Sequence, residues 1–181
     1  IKFRAVCDIW EKGNQRRVSR TLNAYKRYGH KGTAYVDYKE MLEKETDLDA
    51  VLVDHAHLER KAATSALALE RYQELFGRVA DLNAIAIEEL EHFHLVLDIM
   101  ADRGVPFSHP ISSPWISGLM GTIRKGRHEQ VIDHLLCAAL IEGRSCEKFQ
   151  LLAEALGQVD APLAKFYAGL VESEGNHYAA Y

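Results

Sequence analysis

The 181-residue chain has few cysteines, no long apolar runs and no excess of positive charge. Its three cysteines, Cys7, Cys137 and Cys146, are too few and odd in number for a disulfide framework, so a reducing compartment, the cytoplasm, is expected. No apolar run reaches the roughly 18 residues a membrane helix needs, so no membrane partner is expected. A net charge of −4 and a pI near 6.1 deny the chain the basic footprint of many nucleic-acid-binding domains. No charged-then-apolar leader opens the chain, so no secretory signal is expected; because it begins with Ile1 rather than Met, its natural start is expected further upstream. At 48% hydrophobic and 27% charged, the composition is that of a folded domain with a sizeable core.

The chemistry is concentrated in Ile87-Glu-Glu-Leu-Glu-His-Phe93. Glu89-x-x-His92 places a carboxylate and an imidazole on one helix face. Alone the pair is weak, because Glu and His three apart occur by chance in many helices. A second copy, Glu174-x-x-His177, and one isolated Glu a helix earlier in each case, Glu59 and Glu142, give it weight. Two lone Glu residues and two Glu-x-x-His pairs form the ligand set of carboxylate-bridged di-iron four-helix bundles. Such a set, rich in oxygen with one imidazole per metal, suits iron or manganese better than zinc.

Four helices are expected to carry these residues. The first runs from Leu48 to about Gln73 with stripe Leu48, Leu52, His55, Glu59, Ala62 and Ala66, capped by Asp47. The second runs from about Leu75 to Arg103, ends at Gly104, and buries Glu89 and His92 while Glu88 and Glu91 fall on the outer, solvated side. The third spans about Glu129 to Leu156 with Glu142 in its stripe and Gly157 closing it. The fourth opens at Asp160-Ala-Pro162, and its stripe includes Glu174 and His177. A lone buried Glu is costly, and four recurring in apolar stripes call for cations to offset them. His55 reads as a hydrogen-bonded core histidine that can also support a ligand. Cys146 reads as core-lining rather than as a thiolate ligand. His57, His94, His128 and His134 fit no pattern.

Residues 1–46 read differently. Lys2–Asp8 and Thr33–Asp37 are β-prone, Arg16–Tyr28 and Tyr38–Lys44 suit helices, and Asp47–Val53 could continue as a strand. For that last run, length favours the long helix over the short strand. The β-α-β rhythm resembles the nucleotide-binding half of the glucose-fructose oxidoreductase-like NAD(P)-dependent dehydrogenases, in which Asp8 would meet the cofactor ribose. The G-x-G-x-x-G turn that would hold a pyrophosphate is missing, so no nicotinamide cofactor is expected. The organisation expected is a fusion fragment over 1–46 followed by a bundle over 47–181: an all-α, ferritin-like four-helix bundle preceded by a short α/β-like segment.

The bundle also carries a family resemblance. Leu52-Val-Asp-His-Ala-His-Leu-Glu59-Arg-Lys-Ala-Ala63, Glu88-Glu-Leu-Glu-His-Phe93, Ile141-Glu-Gly-Arg-Ser-Cys-Glu-Lys-Phe149 and Ala164 to Tyr178 resemble the MiaE tRNA hydroxylases. The resemblance implies a di-iron monooxygenase with Glu59, Glu89, His92, Glu142, Glu174 and His177 as iron ligands. It further implies two iron ions, O2 as co-substrate, an external electron donor, and the isopentenyl group of 2-methylthio-isopentenyladenosine beside the tRNA anticodon as substrate. Between helices two and three, a long connection with Pro106, Pro110 and Pro114 ends in Arg124-Lys-Gly-Arg127, either a lid that meets RNA phosphates or a crossover with a solvated basic end. A short helix is expected at Trp115–Ile123. Two alternatives stay open, a ferritin-like iron-binding protein without an RNA substrate and an inactive fusion product.

Overall fold

The computed structural model describes residues 5–7, 33–35, 48–109 and 114–181. The chain divides into two compact units, Ile1–Val51 and Leu52–Tyr181. In the first, β1 (Ala5–Cys7) pairs in parallel with β2 (Thr33–Tyr35), with Ala5 opposite Thr33 and Cys7 opposite Tyr35. Parallel strands need a crossover of a dozen or more residues, and the chain between them is long enough to supply one. Asp8, Asp47 and the helices expected at Arg16–Tyr28 and Tyr38–Lys44 lie outside the described residues.

Four long helices make the bundle: α1 (Leu48–Leu69), α2 (Val79–Asp102), α4 (Arg127–Leu156) and α5 (Ala161–Ala180), with a short α3 (Pro114–Met120) between α2 and α4. Residues from Leu48 onward are helical, so the strand alternative for 47–53 is set aside. The turn between α1 and α2 departs from the sequence expectation. α1 stops at Leu69 rather than near Gln73, and a 3₁₀ helix, Gln73–Arg78, precedes α2, whose regular turns begin at Val79 rather than Leu75. The backbone there takes i→i+3 bonds, Tyr72 N–H to Leu69 O at 3.1 Å and Leu75 N–H to Tyr72 O at 2.9 Å.

The helix ends follow local chemistry. α2 closes at Gly104, whose φ of +67° is the left-handed conformation that favours glycine. Gly104 N–H then reaches Ala101 O at 3.0 Å and Val105 N–H reaches Met100 O at 2.8 Å, a Schellman closure. α5 opens at Asp160, whose side chain accepts from Leu163 N–H at 3.1 Å. α3 docks on α4, where Cys137 Sγ points to Leu119 O at 3.9 Å and the Arg144 guanidinium lies 4.3 Å from the Trp115 ring centre.

The core has two layers of different texture. On one side of the ligand residues, Ala63 and Ala66 of α1 meet Ile85 and Ala86 of α2, with Tyr181 against them. On the other side His55 lies among aromatic rings, 4.6 Å from Phe149, 5.9 Å from Phe166 and 5.4 Å from Tyr167 between centroids. Each fully buried large side chain there contributes about 1.5–3 kcal/mol relative to exposure. Among the described residues no helix is long and apolar enough to cross a membrane.

Candidate metal centre

The helical period brings each sequence-picked residue to the bundle interior: Glu59 from α1, Glu89 and His92 from α2, Glu142 from α4, Glu174 and His177 from α5. All six are buried. They fall into two groups whose ligand atoms lie within 4.8 Å of one another, Glu59–Glu89–His92–Glu174 and Glu89–Glu142–Glu174–His177. Glu89 and Glu174 belong to both, whereas each remaining carboxylate and imidazole belongs to one.

Distances within the cluster fit a shared cation site better than a hydrogen-bond network. His92 Nδ1 lies 3.6 Å from Glu59 Oε2 and 3.9 Å from Glu174 Oε1. His177 Nδ1 is 2.7 Å from Glu89 Oε1, yet neither atom has a partner in a hydrogen-bonding direction. Glu174 Oε1 and His92 Nδ1 are likewise buried without hydrogen bonds. Each such orphan costs about 1–3 kcal/mol in a protein interior. Four orphans drawn from the donor set of one cluster are what metal ligands look like when only the protein is considered, so the residues fit a pair of cations.

Electrostatics say the same. Burial, together with the neighbouring Glu59, Glu142 and Glu174, pushes the Glu89 carboxyl up to about 12. Burial and the charges of Glu59 and Glu142 push Glu174 up to about 10. Burial pushes Glu142 up to about 7. Glu59 runs the other way: burial raises it, but the hydrogen bond from His55 and the nearness of His92 and Glu89 more than offset that and hold it well below the carboxylate range. Carboxylates this close cannot all ionise without compensating positive charge.

The surrounding residues divide between those the sequence pointed to and those it did not. His55, read as a core histidine able to support a ligand, hydrogen-bonds Glu59 through Nε2 and is fully buried. Cys146 donates to Val171 O at 3.5 Å and joins neither group. His57, which fitted no pattern, is buried too; its Nε2–H donates to Ser108 O at 2.7 Å and its Nδ1 accepts from Arg60 at 3.2 Å. Glu88 lies on the outer side, as expected, with its side chain 47% exposed, but its carboxylate is engaged rather than free. Its Oε2 accepts from His177 Nε2 at 2.9 Å and its Oε1 from the Ser173 hydroxyl at 2.6 Å. The one available signal was adjacency: Glu88 precedes Glu89 as Ser173 precedes Glu174. The basic end of the connection also differs from a free cationic lid. Arg124 is tied to Asp133 by two side-chain bonds, at 2.9 and 2.7 Å, and Arg127 lies 3.6 Å from Glu74.

Comparison with known proteins gives a consistent result. The chain matches the family MiaE, described as tRNA-(MS[2]IO[6]A)-hydroxylase, over residues 30–181, a span that begins upstream of the bundle. It is 38% identical over 136 residues to the tRNA 2-(methylsulfanyl)-N(6)-isopentenyladenosine(37) hydroxylase of Pseudomonas putida KT2440, covering 75% of this chain and 65% of that protein. To the protein of the same name from Salmonella typhimurium LT2 it is 39% identical over 94 residues, 52% of this chain and 34% of that one. Among solved structures, protein 43 with aldehyde deformylating oxygenase activity from Synechococcus superposes with a TM-score of 0.70 at 39% identity, over 79% of this chain and 69% of that chain. The chain thus spans just under two thirds of the Pseudomonas protein and about a third of the Salmonella one.

Proposed function

This chain belongs to the MiaE family of tRNA hydroxylases, and from that membership we propose that it hydroxylates the isopentenyl group of 2-methylthio-isopentenyladenosine in tRNA at a di-iron centre, using O2 and an external reductant. The observation that carries the proposal is the sharing of Glu89 and Glu174 between two groups of ligand atoms. Glu59 and His92 would complete one iron position, Glu142 and His177 the other. Two divalent ions bring four positive charges against four carboxylates, which removes the cost of burying them. When bound, the pair of irons supplies activation of O2, so that one oxygen atom enters a C–H bond and the other leaves as water with two electrons and two protons from the reductant.

The chain's own residues prepare and protect that site. His55 orients Glu59 through its hydrogen bond, and the aromatic rings around His55 keep water from that end. The Ala63, Ala66, Ile85 and Ala86 layer closes the opposite end with apolar surface. The substrate base would leave the anticodon stack to reach a buried centre, as modified bases do in other base-acting enzymes. An electron-transfer partner and a cytoplasmic setting complete the reading.

The test is to load the protein anaerobically with ferrous iron, then add O2, a reductant and tRNA carrying the methylthio-isopentenyl base. Mass spectrometry of the nucleosides should find a product one oxygen atom heavier, absent with Glu89→Ala. A second reading draws on the similarity to protein 43, named for aldehyde deformylating oxygenase activity, and assigns this site to an aldehyde instead. The same iron-loaded protein, offered an aldehyde and the modified tRNA in parallel, separates the two by which substrate is consumed.

A further inference from the structure

Outside the six ligand residues, one contact joins α2 to α5 at the level of the cluster. Glu88 and Ser173 each stand immediately before a shared carboxylate, Glu89 and Glu174, and they meet on the outside of the bundle. The Ser173 hydroxyl donates to Glu88 Oε1 at 2.6 Å, and the second oxygen of Glu88 accepts from His177 Nε2 at 2.9 Å. Both carboxylate oxygens are therefore engaged, and Glu88 keeps this rotamer although its side chain is 47% exposed. His177 is thereby committed at Nε2, which leaves Nδ1 turned inward, 2.7 Å from Glu89 Oε1.

The two halves of the cluster are supported differently. In the half containing Glu59 and His92, the support falls on the carboxylate, through His55. Among the described residues no carboxylate meets the outer nitrogen of His92. In the half containing Glu142 and His177, the support falls on the imidazole, through Glu88. An anionic acceptor on the outer nitrogen of a ligating histidine fixes its tautomer and ring plane and makes its inner nitrogen a better donor.

We propose that Glu88, held by Ser173, is a positioning residue that sets the tautomer of His177 and strengthens one of the two metal positions selectively. The proposal rests on the reading of the cluster as a two-metal centre. It makes the two positions unequal in a way their matched ligand sets do not.

Cobalt(II) is the probe, titrated into the metal-free protein and followed by its visible absorption and by calorimetry. The wild-type protein takes up two ions. Glu88→Ala keeps one at wild-type affinity and loses about 10–100-fold on the other. Glu88→Gln, whose amide oxygen still accepts from the ring, recovers most of that loss. Ser173→Ala weakens the same ion to a smaller degree and serves if Glu88→Ala fails to fold. Glu91→Ala, the loss of an exposed acid on the same helix, changes neither ion. Independently of metal, the ¹⁵N spectrum of the metal-free protein shows His177 as the Nε2–H tautomer, and Glu88→Ala mixes the two tautomers. Wild-type protein that takes up no cobalt overturns the two-metal reading and this inference with it. Two ions in the wild type with both unchanged, or both equally weakened, in Glu88→Ala overturns this inference alone. Glutamine as weak as alanine replaces positioning by bare charge and also overturns it.

Discussion

Glu89 on α2 and Glu174 on α5 are the two carboxylates common to both groups of ligand atoms, so neither half of the cluster is complete without them. A shared ligand and a terminal ligand should therefore differ in what their removal costs. Glu89→Ala is expected to abolish binding of both metal ions, whereas Glu142→Ala removes a ligand from one half and leaves the other ion bound. Metal analysis after anaerobic iron loading and gel filtration checks this. Equal losses in the two variants would mean that Glu89 is not a bridge.

The same burial sets stability against function. Glu89 is 1% exposed, its Oε1 has no hydrogen-bond partner, and its carboxyl is pushed up to about 12 by burial and the acids around it. Leucine at this position is close in volume and removes the unsatisfied group. Glu89→Leu is expected to stabilise the metal-free protein by about 1–3 kcal/mol while losing all metal-dependent stabilisation. Thermal unfolding with and without added Fe(II) reads both effects. For a domain of this size the gain corresponds to about 2–4 °C per kcal/mol. A lower midpoint in the metal-free variant would show that Glu89 is satisfied in a way the geometry does not reveal.

The four bundle helices were legible because their apolar stripes run for many turns at a constant period. The six ligand candidates were legible for the same reason, since Glu in an apolar stripe stands out where Glu on a polar face does not. Glu88 was hidden by that logic. It lies on the outer side of α2, and its role depends on Ser173 and His177, which arrive from a helix remote in sequence. The early stop of α1 was also hidden: Glu70, Arg71 and Gln73 are good helix formers, and the break reflects the need to turn the chain into α2 rather than any local signal. Likewise nothing in Arg124-Lys-Gly-Arg127 announces that Arg124 will pair with Asp133 on the following helix.

Phe149 is the ring most closely applied to His55, and it is 1% exposed. Truncating it opens a cavity beside the residue that holds Glu59. Phe149→Ala is expected to cost about 3–5 kcal/mol of stability. Phe149→Leu fills most of the space and should cost much less. Chemical denaturation of the two metal-free variants checks the order. If the two substitutions cost the same, shape at this position is unimportant and the aromatic layer is not a packed wall of the site.

Asp160 gives a prediction with a defined pH window. Its side chain accepts from Leu163 N–H at the start of α5 and meets Arg103 Nη1, at the end of α2, at 2.7 Å. The hydrogen bond from Arg103, with that from Leu163 N–H, holds the carboxyl below its ordinary value despite partial burial. A depressed acid adds stability above its unfolded pKa, about 3.9, and that stability is lost as pH falls below this value towards the folded pKa. At pH 7, Asp160→Ala should cost about 1–2 kcal/mol, roughly one for the cap and less than one for the partly exposed ion pair. Asp160→Asn retains a capping oxygen and loses only the charge, so its cost should be smaller than that of alanine at pH 7 and smaller still at pH 3. Urea unfolding of the metal-free proteins at both pH values separates the two terms. An Asn variant as destabilised at pH 3 as at pH 7 would remove the ion pair from the account and leave the cap alone holding this end of α5.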